Sequence, residues 1–454
     1  MGPTSRRRIF HAMSPAVATI TDARLAAADL LANLRAGLLL DAAFDRRTAA
    51  LEPRDRRWVQ ELVWTMLRRR GSLDHRIAPC VTGGFARIDP DLADLLRLGA
   101  AQLFQMDSVP TYAAIAQTVE LAKRRHGRGA AGLVNAVLRR LDRERDHPAP
   151  PLPTDPVEAL SVTHSHPRWL VARWVARWGA EATQALLETN NAEAPIHLRP
   201  WGCTTAELAA MCAAEGVTTE PAPLIDDGLR LPTGTALTAL TAFRDGRCFV
   251  QDPAATLVTR YAAIPAGARV ADLCAAPGGK AVELARTASE VIAADASEAR
   301  LARLDATIER LHLEHVSPVV CDAREAGALG TFDAVLVDAP CTGTGTFRRH
   351  PDARWRLKPS DLAVMSAAQR AILRGAADAV APGGLLIYST CSLEPEEDDA
   401  PVEAFLAEHP EWSLEPPPEG TVPASTLDAG RLRVLPHRHA TDGSFAARLR
   451  RGVA

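Results

Sequence analysis

Two cysteines stand where a thiol can take part in chemistry. Cys341 ends the run Asp338-Ala-Pro-Cys341, and Cys391 lies within Tyr388-Ser-Thr-Cys-Ser392. Each follows a short apolar stretch of strand character, so each thiol falls in a loop at a strand end. Such a loop is a poor place for an inert thiol, whereas Cys80, Cys203, Cys212 and Cys248 read as small buried hydrophobes. Eight cysteines in 454 residues without a C-x-x-C pair exclude a zinc ribbon or a disulfide scaffold. A disulfide between Cys341 and Cys391 would require an oxidising compartment. A second group of residues surrounds a glycine turn: Asp272-Leu-Cys-Ala-Ala-Pro-Gly-Gly-Lys280 joins a strand to a helix. Taken alone, that turn suits NAD, a nucleotide or S-adenosylmethionine. It lacks both G-x-G-x-x-G and G-x-x-x-x-G-K-[ST], which disfavours pyrophosphate. Asp295, Asp322 and Asp338 each follow a later strand. Three acids in register at strand ends, facing one crevice, favour a nucleoside ligand, with Asp295 placed to accept ribose hydroxyls.

A thiol beside a methyl donor points to one reaction. Carbon 5 of a pyrimidine is too weak a nucleophile to attack a methylsulfonium unaided. Addition of a thiolate to carbon 6 makes carbon 5 nucleophilic; after methyl transfer a base must remove the carbon 5 proton before the thiolate leaves. One cysteine as nucleophile, a second group for release and an acid near ring nitrogen 3 satisfy this scheme. The attacking thiol must be partly ionised, which calls for a pKa below the free value of ~8.5. The residues alone do not rank the two thiols.

The elements that must position these groups follow from periodicity. From Gln251 onward, strands alternate with helices at 269–273, 291–294, 316–320, 334–337 and 385–389, the pattern of a mostly parallel, doubly wound sheet. Runs 431–435 and 444–449 fit an antiparallel pair closing a sheet edge. Residues 21–145 read as all helix, with segments at 22–44, 54–70, 90–106, 111–125 and 130–141. The proline-dense stretch 147–156 reads as an extended linker. Beyond it, 157–191 reads as helices, with Trp169, Trp174 and Trp178 near one face, and 195–250 as a small α+β piece. The expected domains are therefore 15–146, a linker at 147–156, a subdomain at 157–248 and an α/β domain at 249–454.

Three runs, Asp-Leu-Cys-Ala-Ala-Pro-Gly-Gly-Lys, Asp-Ala-Pro-Cys-Thr-Gly-Thr-Gly and Tyr-Ser-Thr-Cys-Ser, resemble the motifs of the Nol/Nop/Sun family of RNA cytosine-5 methyltransferases. The similarity covers about 249–451 and includes Gln251-Asp-Pro-Ala-Ala255 and Pro436-His-Arg-His-Ala-Thr-Asp-Gly443. It implies a Rossmann-like class I methyltransferase domain, Cys391 as nucleophile and Cys341 as the thiol assisting product release. It also implies that Cys274, Ala275, Ala276, Pro277, Gly278, Gly279, Lys280, Asp295, Asp322 and Asp338 contact S-adenosylmethionine. Asp338, close to Cys341, is the candidate proton donor or hydrogen-bond partner at nitrogen 3. The front segment, with Val109-Pro-Thr-Tyr-Ala-Ala-Ile-Ala-Gln and Gly132-Leu-Val-Asn-Ala-Val-Leu138, is similar to NusB-type helical RNA-binding domains. That fusion resembles the Sun/RsmB-type branch, which acts on 16S ribosomal RNA, free or in a partly assembled small subunit. Leu198-Arg-Pro-Trp201 departs from the Leu-Arg-Val-Asn of relatives.

The formal net charge of -3 conceals a division: residues 1–150 carry 24 basic against 16 acidic side chains, the remainder 28 against 39. A basic front suits a polyanionic partner. Lys123, Arg124 and Arg125, the run 68–70, and Arg348, Arg349, Arg354 and Arg356 after the first thiol motif are candidate phosphate contacts. Lysine occurs only at 123, 280 and 358, so Lys280 stands out in a chain that otherwise uses arginine. The pairs His164/His166 and His437/His439 lack a companion ligand cluster, and no metal is expected. The acidic run Glu394-Pro-Glu-Glu-Asp-Asp399 reads as a solvated loop. No apolar run is long enough for a membrane span, and Arg6 to Arg8 precede too interrupted an apolar stretch for a signal peptide. The expected protein is a cytoplasmic monomer. The competing readings are an RNA-binding assembly factor with a relic catalytic domain, a DNA cytosine methyltransferase, a nicotinamide-dependent enzyme, or a methyltransferase of another RNA such as tRNA.

Overall fold

A computed structural model describes residues 20–453; the basic triplet Arg6 to Arg8 lies outside them. The described residues form two compact units that divide between Arg168 and Trp169. In the first unit, helices Asp22–Arg35, Leu40–Thr48, Pro53–Ile77, Pro90–Gln105, Thr111–Arg143 and Pro156–His164 surround an apolar core that includes Leu62, Leu96, Val134 and Leu138. The single helix expected over 22–44 is broken, because Gly37 takes φ 94° and the chain turns before Leu40. Asp22 lies within the first helix, and Thr21 occupies its N-cap, its hydroxyl accepting from the Arg24 guanidinium rather than from a helix N–H. Gly127, at φ 84°, interrupts Thr111–Arg143 between the two segments that the periodicity separates. Asp89 caps Pro90–Gln105 by accepting from the Asp91 N–H at 2.9 Å, with Pro90 at the first position. Gly99 in that helix is a contact point. A Cβ there would lie 2.7 Å from Leu138 Cδ1.

The second unit begins with helix Arg168–Asn191, broken at Gly179. Only Trp174 of its three tryptophans is fully buried. Four short strands follow: β1 (His197–Pro200), β2 (Glu220–Pro221), β3 (Leu229–Arg230) and β4 (Cys248–Val250). They pair antiparallel in the order β2-β3-β1-β4 beside helix Thr205–Ala214, which carries a Thr204/Glu207 capping box. Leu198, Leu208, Cys212, Leu229 and Cys248 form the core of this small layer.

The large sheet contains β5 (Arg269–Asp272), β6 (Glu290–Asp295), β7 (Val316–Val320), β8 (Phe332–Asp338), β9 (Val380–Thr390), β10 (Trp412–Leu414), β11 (Leu427–Asp428), β12 (Arg431–Val434) and β13 (Ser444–Arg451). Its order is β11-β12-β13-β9-β8-β5-β6-β7, with β10 on β13. The strands from β7 to β9 run parallel, and β13 inserts antiparallel between β9 and β12. β13 is thus interior to the sheet, and β11 rather than the 431–449 pair forms the edge. Helices cover both faces, so β8 and β9 are apolar almost throughout, as strands without a wet face must be. After β5 the chain moves first to β6 and β7, then returns to β8 on the other side. The switch point therefore lies between the carboxyl ends of β5 and β8, where α/β sheets open a ligand crevice.

Candidate active site

The β5 strand ends at Asp272 and the chain turns into helix Gly279–Leu284. Gly278 takes φ 112°, and a Cβ there would lie 2.5 Å from Leu304 Cδ1, so backbone freedom and space both require glycine. Beside this turn is a cavity of about 720 Å³. Asp272, Cys274, Ala275, Ala276, Pro277, Gly279, Lys280 and Asp338 line it together with Phe243, Phe249, Val250 and Gln251. Asp295 and Asp322 are not on this wall, although both close strands on the same side of the sheet. Asp295 is 1 % exposed; its Oδ1 accepts from the Ser297 N–H at 2.8 Å and from Arg300 at 2.7 Å, while Oδ2 has no partner. Asp322 is held down to about 2 by hydrogen bonds from the Arg324 side chain and backbone.

At the switch point, Lys280 Nζ donates to Asp338 Oδ2 at 2.7 Å and Ser389 Oγ donates to Asp338 Oδ1 at 2.8 Å. Burial works against the Lys280 ammonium, but the Asp338 charge outweighs it and the pKa is raised. Asp338 is thus a hydrogen-bond acceptor here. Asp272 lies deeper. Neither of its oxygens has a partner meeting full hydrogen-bond geometry, and burial first, then the charge of Asp338, pushes its pKa up to about 7. The sequence gives one signal for Asp272, its place at the end of the central strand.

Cys341 and Cys391, on loops leaving adjacent strands β8 and β9, bring their sulfurs within 3.3 Å as free thiols. Cys341 is pushed well above the ordinary thiol range, first by the hydrogen bond with Cys391 and then by burial. Gly345 lets the two loops meet: its N–H donates to Cys391 O at 2.9 Å, and a Cβ would lie 2.7 Å from that oxygen. The run 394–399 is not a solvated loop. Glu394, Glu397 and Asp398 are buried, engaged respectively by Trp174 and Arg173, by Thr342 and Ser392, and by Thr390. At Glu394 and Asp398 burial outweighs these donors and raises the pKa, at Asp398 to well above the usual carboxylate range, a setting that composition alone conceals.

The arginines after the first thiol motif also turn inward. Arg348 pairs with Asp252 at 2.9 Å and Asp442 at 2.6 Å, and Arg349 reaches the same two carboxylates. Arg354 is 0 % exposed, donating to Asn191 Oδ1 and Asn190 O. Arg356 alone of the four is exposed, its side chain 41 % accessible, while its guanidinium pairs with the buried Asp352 at 3.0 Å. The expected phosphate role of Arg348 and Arg354 is therefore corrected: Arg348 braces the 341–356 loop against the Gln251-Asp-Pro and Thr441-Asp-Gly segments, and Arg354 ties it to the end of helix Arg168–Asn191. In Leu198-Arg-Pro-Trp201, Arg199 is likewise buried, against Glu283 at 2.7 Å, and Trp201 packs on Phe249. In the first unit, Arg125 is tied to Asp91 at 2.9 Å, whereas Lys123 and Arg124 extend from the surface beside Glu120. Among the described residues there is no cluster of three His, Cys, Asp or Glu able to hold a metal, and no helix long and apolar enough to cross a membrane.

This strand order, with the central strand feeding a glycine turn and a reversed strand set beside β9, defines a Rossmann-like methyltransferase domain behind a helical front unit. Comparison with known proteins gives the family. The description "16S rRNA methyltransferase RsmB/F" matches residues 263–450, "NusB family" matches 21–143, and the "Methyltr_RsmF/B-like, ferredoxin-like domain" matches 166–238. The chain is 35% identical over 446 residues to ribosomal RNA small subunit methyltransferase B of Vibrio cholerae, covering 94% of this chain and 97% of that protein. The crystal structure of PH0851 superposes with a TM-score of 0.80 at 26% identity, covering 95% of this chain and 99% of that one. A methyltransferase homologue from Pyrococcus horikoshii gives a TM-score of 0.56 at 27% identity over 66% of this chain and all of its own. The chain belongs to the RsmB/F family of rRNA methyltransferases.

Proposed function

We propose that this protein uses S-adenosylmethionine to make 5-methylcytosine in 16S ribosomal RNA through a covalent Cys391 adduct. The observation that carries the reading is the 3.3 Å approach of Cys341 and Cys391 at the ends of neighbouring strands, beside the Lys280–Asp338 pair on the cavity wall. The residues fit the cofactor: the buried Asp272 carboxylate, whose desolvation is not offset, suits a cationic group, and the free Oδ2 of buried Asp295 suits a ribose hydroxyl. When bound, S-adenosylmethionine supplies the electrophilic methyl group.

The protein residues divide the remaining work. Cys391 forms the sulfur–carbon 6 bond as a thiolate, and the displaced electron pair makes carbon 5 the nucleophile. Asp338, fixed by Lys280 and Ser389, holds the Watson–Crick edge of the base near nitrogen 3. Cys341, the thiol with the raised pKa, keeps its proton during attack. In the final step solvent water takes the carbon 5 proton, the freed electron pair restores the carbon 5–carbon 6 double bond, and the Cys391 sulfur leaves as a thiolate that accepts a hydrogen bond from the Cys341 thiol 3.3 Å away. The target base must be unstacked, because a thiolate cannot reach carbon 6 within a stack. Lys123, Arg124 and Arg356 are the proposed surface phosphate contacts.

With S-adenosylmethionine and 16S RNA, Cys391→Ala is expected to lose turnover and Cys341→Ala to accumulate a protein–RNA adduct on a denaturing gel. An adduct in Cys391→Ala and none in Cys341→Ala would reverse the two roles. Bisulfite sequencing of ribosomal RNA from cells with and without the gene tests the product. An unchanged 16S profile would sink the proposal, and a change confined to tRNA would redirect it.

A further inference from the structure

The Glu397 side chain lies between the two thiol loops and touches neither sulfur. It is 0 % exposed, in a part of the chain whose composition suggests a wet acidic loop. Its Oε1 accepts from the Thr342 N–H at 2.8 Å and from Gln369 Nε2 at 3.2 Å. Its Oε2 accepts from the Thr342 hydroxyl and from the Ser392 hydroxyl at 2.5 Å. Thr342 directly follows Cys341 and Ser392 directly follows Cys391, so one carboxylate holds the neighbour of each thiol. Gln369 extends the bridge, because its Nε2 also donates to Pro340 O at 3.0 Å, on the other side of Cys341. The backbone that carries Glu397 is fixed in turn, its carbonyl accepting from the Tyr388 hydroxyl at 2.6 Å.

A buried carboxylate is costly unless donors surround it. Four donors surround this one, and all connect to the two thiol loops or to the helix behind them. A purely stabilising contact has no need of such a distribution. Cys341 and Cys391 must act in sequence on one base, so their relative placement sets both attack and release. We propose that Glu397 is a positioning residue that sets the register of Cys341 against Cys391. Its two arms act on different steps: the Ser392 arm aligns the Cys391 loop for attack, and the Thr342 arm aligns Cys341 for release. The division between steps rests on the roles proposed above; the register itself does not.

Two measurements on the full chain separate these levels. Phenylarsine oxide bridges two thiols only when both can reach one arsenic, and intact-mass analysis needs neither RNA nor S-adenosylmethionine. Wild type is expected to take up one arsenical, Cys341→Ala and Cys391→Ala none. Glu397→Ala is expected to capture it at least about tenfold more slowly, with Glu397→Gln intermediate because one amide oxygen still accepts. Undiminished capture in a folded Glu397→Ala would overturn the proposal. Should Glu397→Ala fail to fold, Ser392→Ala and Thr342→Val, which each remove one hydroxyl arm, decide by the same readout. Each is expected to slow capture in a protein that stays folded, its melting lowered only by the loss of one buried hydrogen bond, and unchanged capture in both overturns the register.

Single-turnover kinetics then read the steps. Ser392→Ala should slow adduct formation with KM little changed, and Thr342→Val should lengthen adduct lifetime. Equal effects of both variants on both steps would overturn the assignment of arms. Normal arsenical capture by wild type with no RNA adduct under any condition would sink the cytosine reading and leave the register standing.

Discussion

A buried carboxylate whose desolvation its neighbours do not offset must either stay protonated or await a cation, and Asp272 is such a group. Its pKa of about 7 against an ordinary 3.8 means that the folded, ligand-free protein holds a proton there that the unfolded chain releases. Between pH 4 and 7 the folded state therefore binds more protons, and this contribution to stability falls as pH rises, levelling off above 7. His197, fully buried and pushed down to about 4 by desolvation, runs the other way: its contribution is lost as pH falls from 6.5 toward 4. The two slopes overlap, so the informative comparison is between wild type and Asp272→Asn. The variant should gain on wild type in melting temperature, by on the order of 5 °C at pH 8 and less at pH 5. Its affinity for S-adenosylmethionine should fall about tenfold or more, since a neutral amide cannot pair with a cationic group. Calorimetric melting and titration at both pH values check this, and a variant that binds normally would remove Asp272 from the site. Asp272, the acids at the strand ends and both thiols were legible because each is set by its own strand. Glu397 was not, because its partner Thr342 lies 55 residues away.

At the scale of elements, the same distance limits what periodicity can show. Helices and long strands announce themselves within one window, so the central parallel strands fall where the pattern puts them. β10 and β11, with three and two residues, are too short to alternate, and they exist because β13 and β12 offer them a ladder. Arg348 illustrates the harder case. The sequence shows a basic cluster after a catalytic motif, while its partner Asp252 is 96 residues away. Burial works upward on Asp252, but Arg349 and Arg348 outweigh it and hold the carboxylate below its usual range. Removing one partner of such a network leaves an uncompensated buried charge. Arg348→Ala should therefore cost about 3–5 kcal/mol in chemical denaturation. Arg356→Ala has an exposed head but leaves the buried Asp352 without that donor, so it should cost less than Arg348→Ala, about 1–3 kcal/mol, and weaken RNA binding as well. Wild-type stability with lost RNA affinity in Arg348→Ala would restore that residue to the RNA surface.

At the scale of the whole molecule, the excess of basic charge in residues 1–150 overstates what is available to a phosphate backbone. Arg97 is committed to Asp74 and Asp94, and Arg125 to Asp91. Lys123 and Arg124 differ. Their pairs with Glu120 are long, at 3.4 and 3.5 Å, and their side chains are 47% and 51% exposed. Surface pairs of this kind are worth ~0–1 kcal/mol, so a phosphate can displace Glu120 at little cost. Binding of the full chain to RNA should thus weaken with salt, but less steeply than the count of basic residues implies. Each phosphate contact adds about -0.7 to the slope of log K against log salt on a single strand. Replacing Lys123 and Arg124 together by alanine should make that slope shallower by about 1.4 and lower affinity equally for unrelated RNA sequences. Arg125→Ala should instead act on stability, because it leaves Asp91 with one donor fewer. A salt slope unaltered in the double variant would place the electrostatic contact on another surface, and a flat slope in wild type would remove the polyanion interpretation of the charge division altogether.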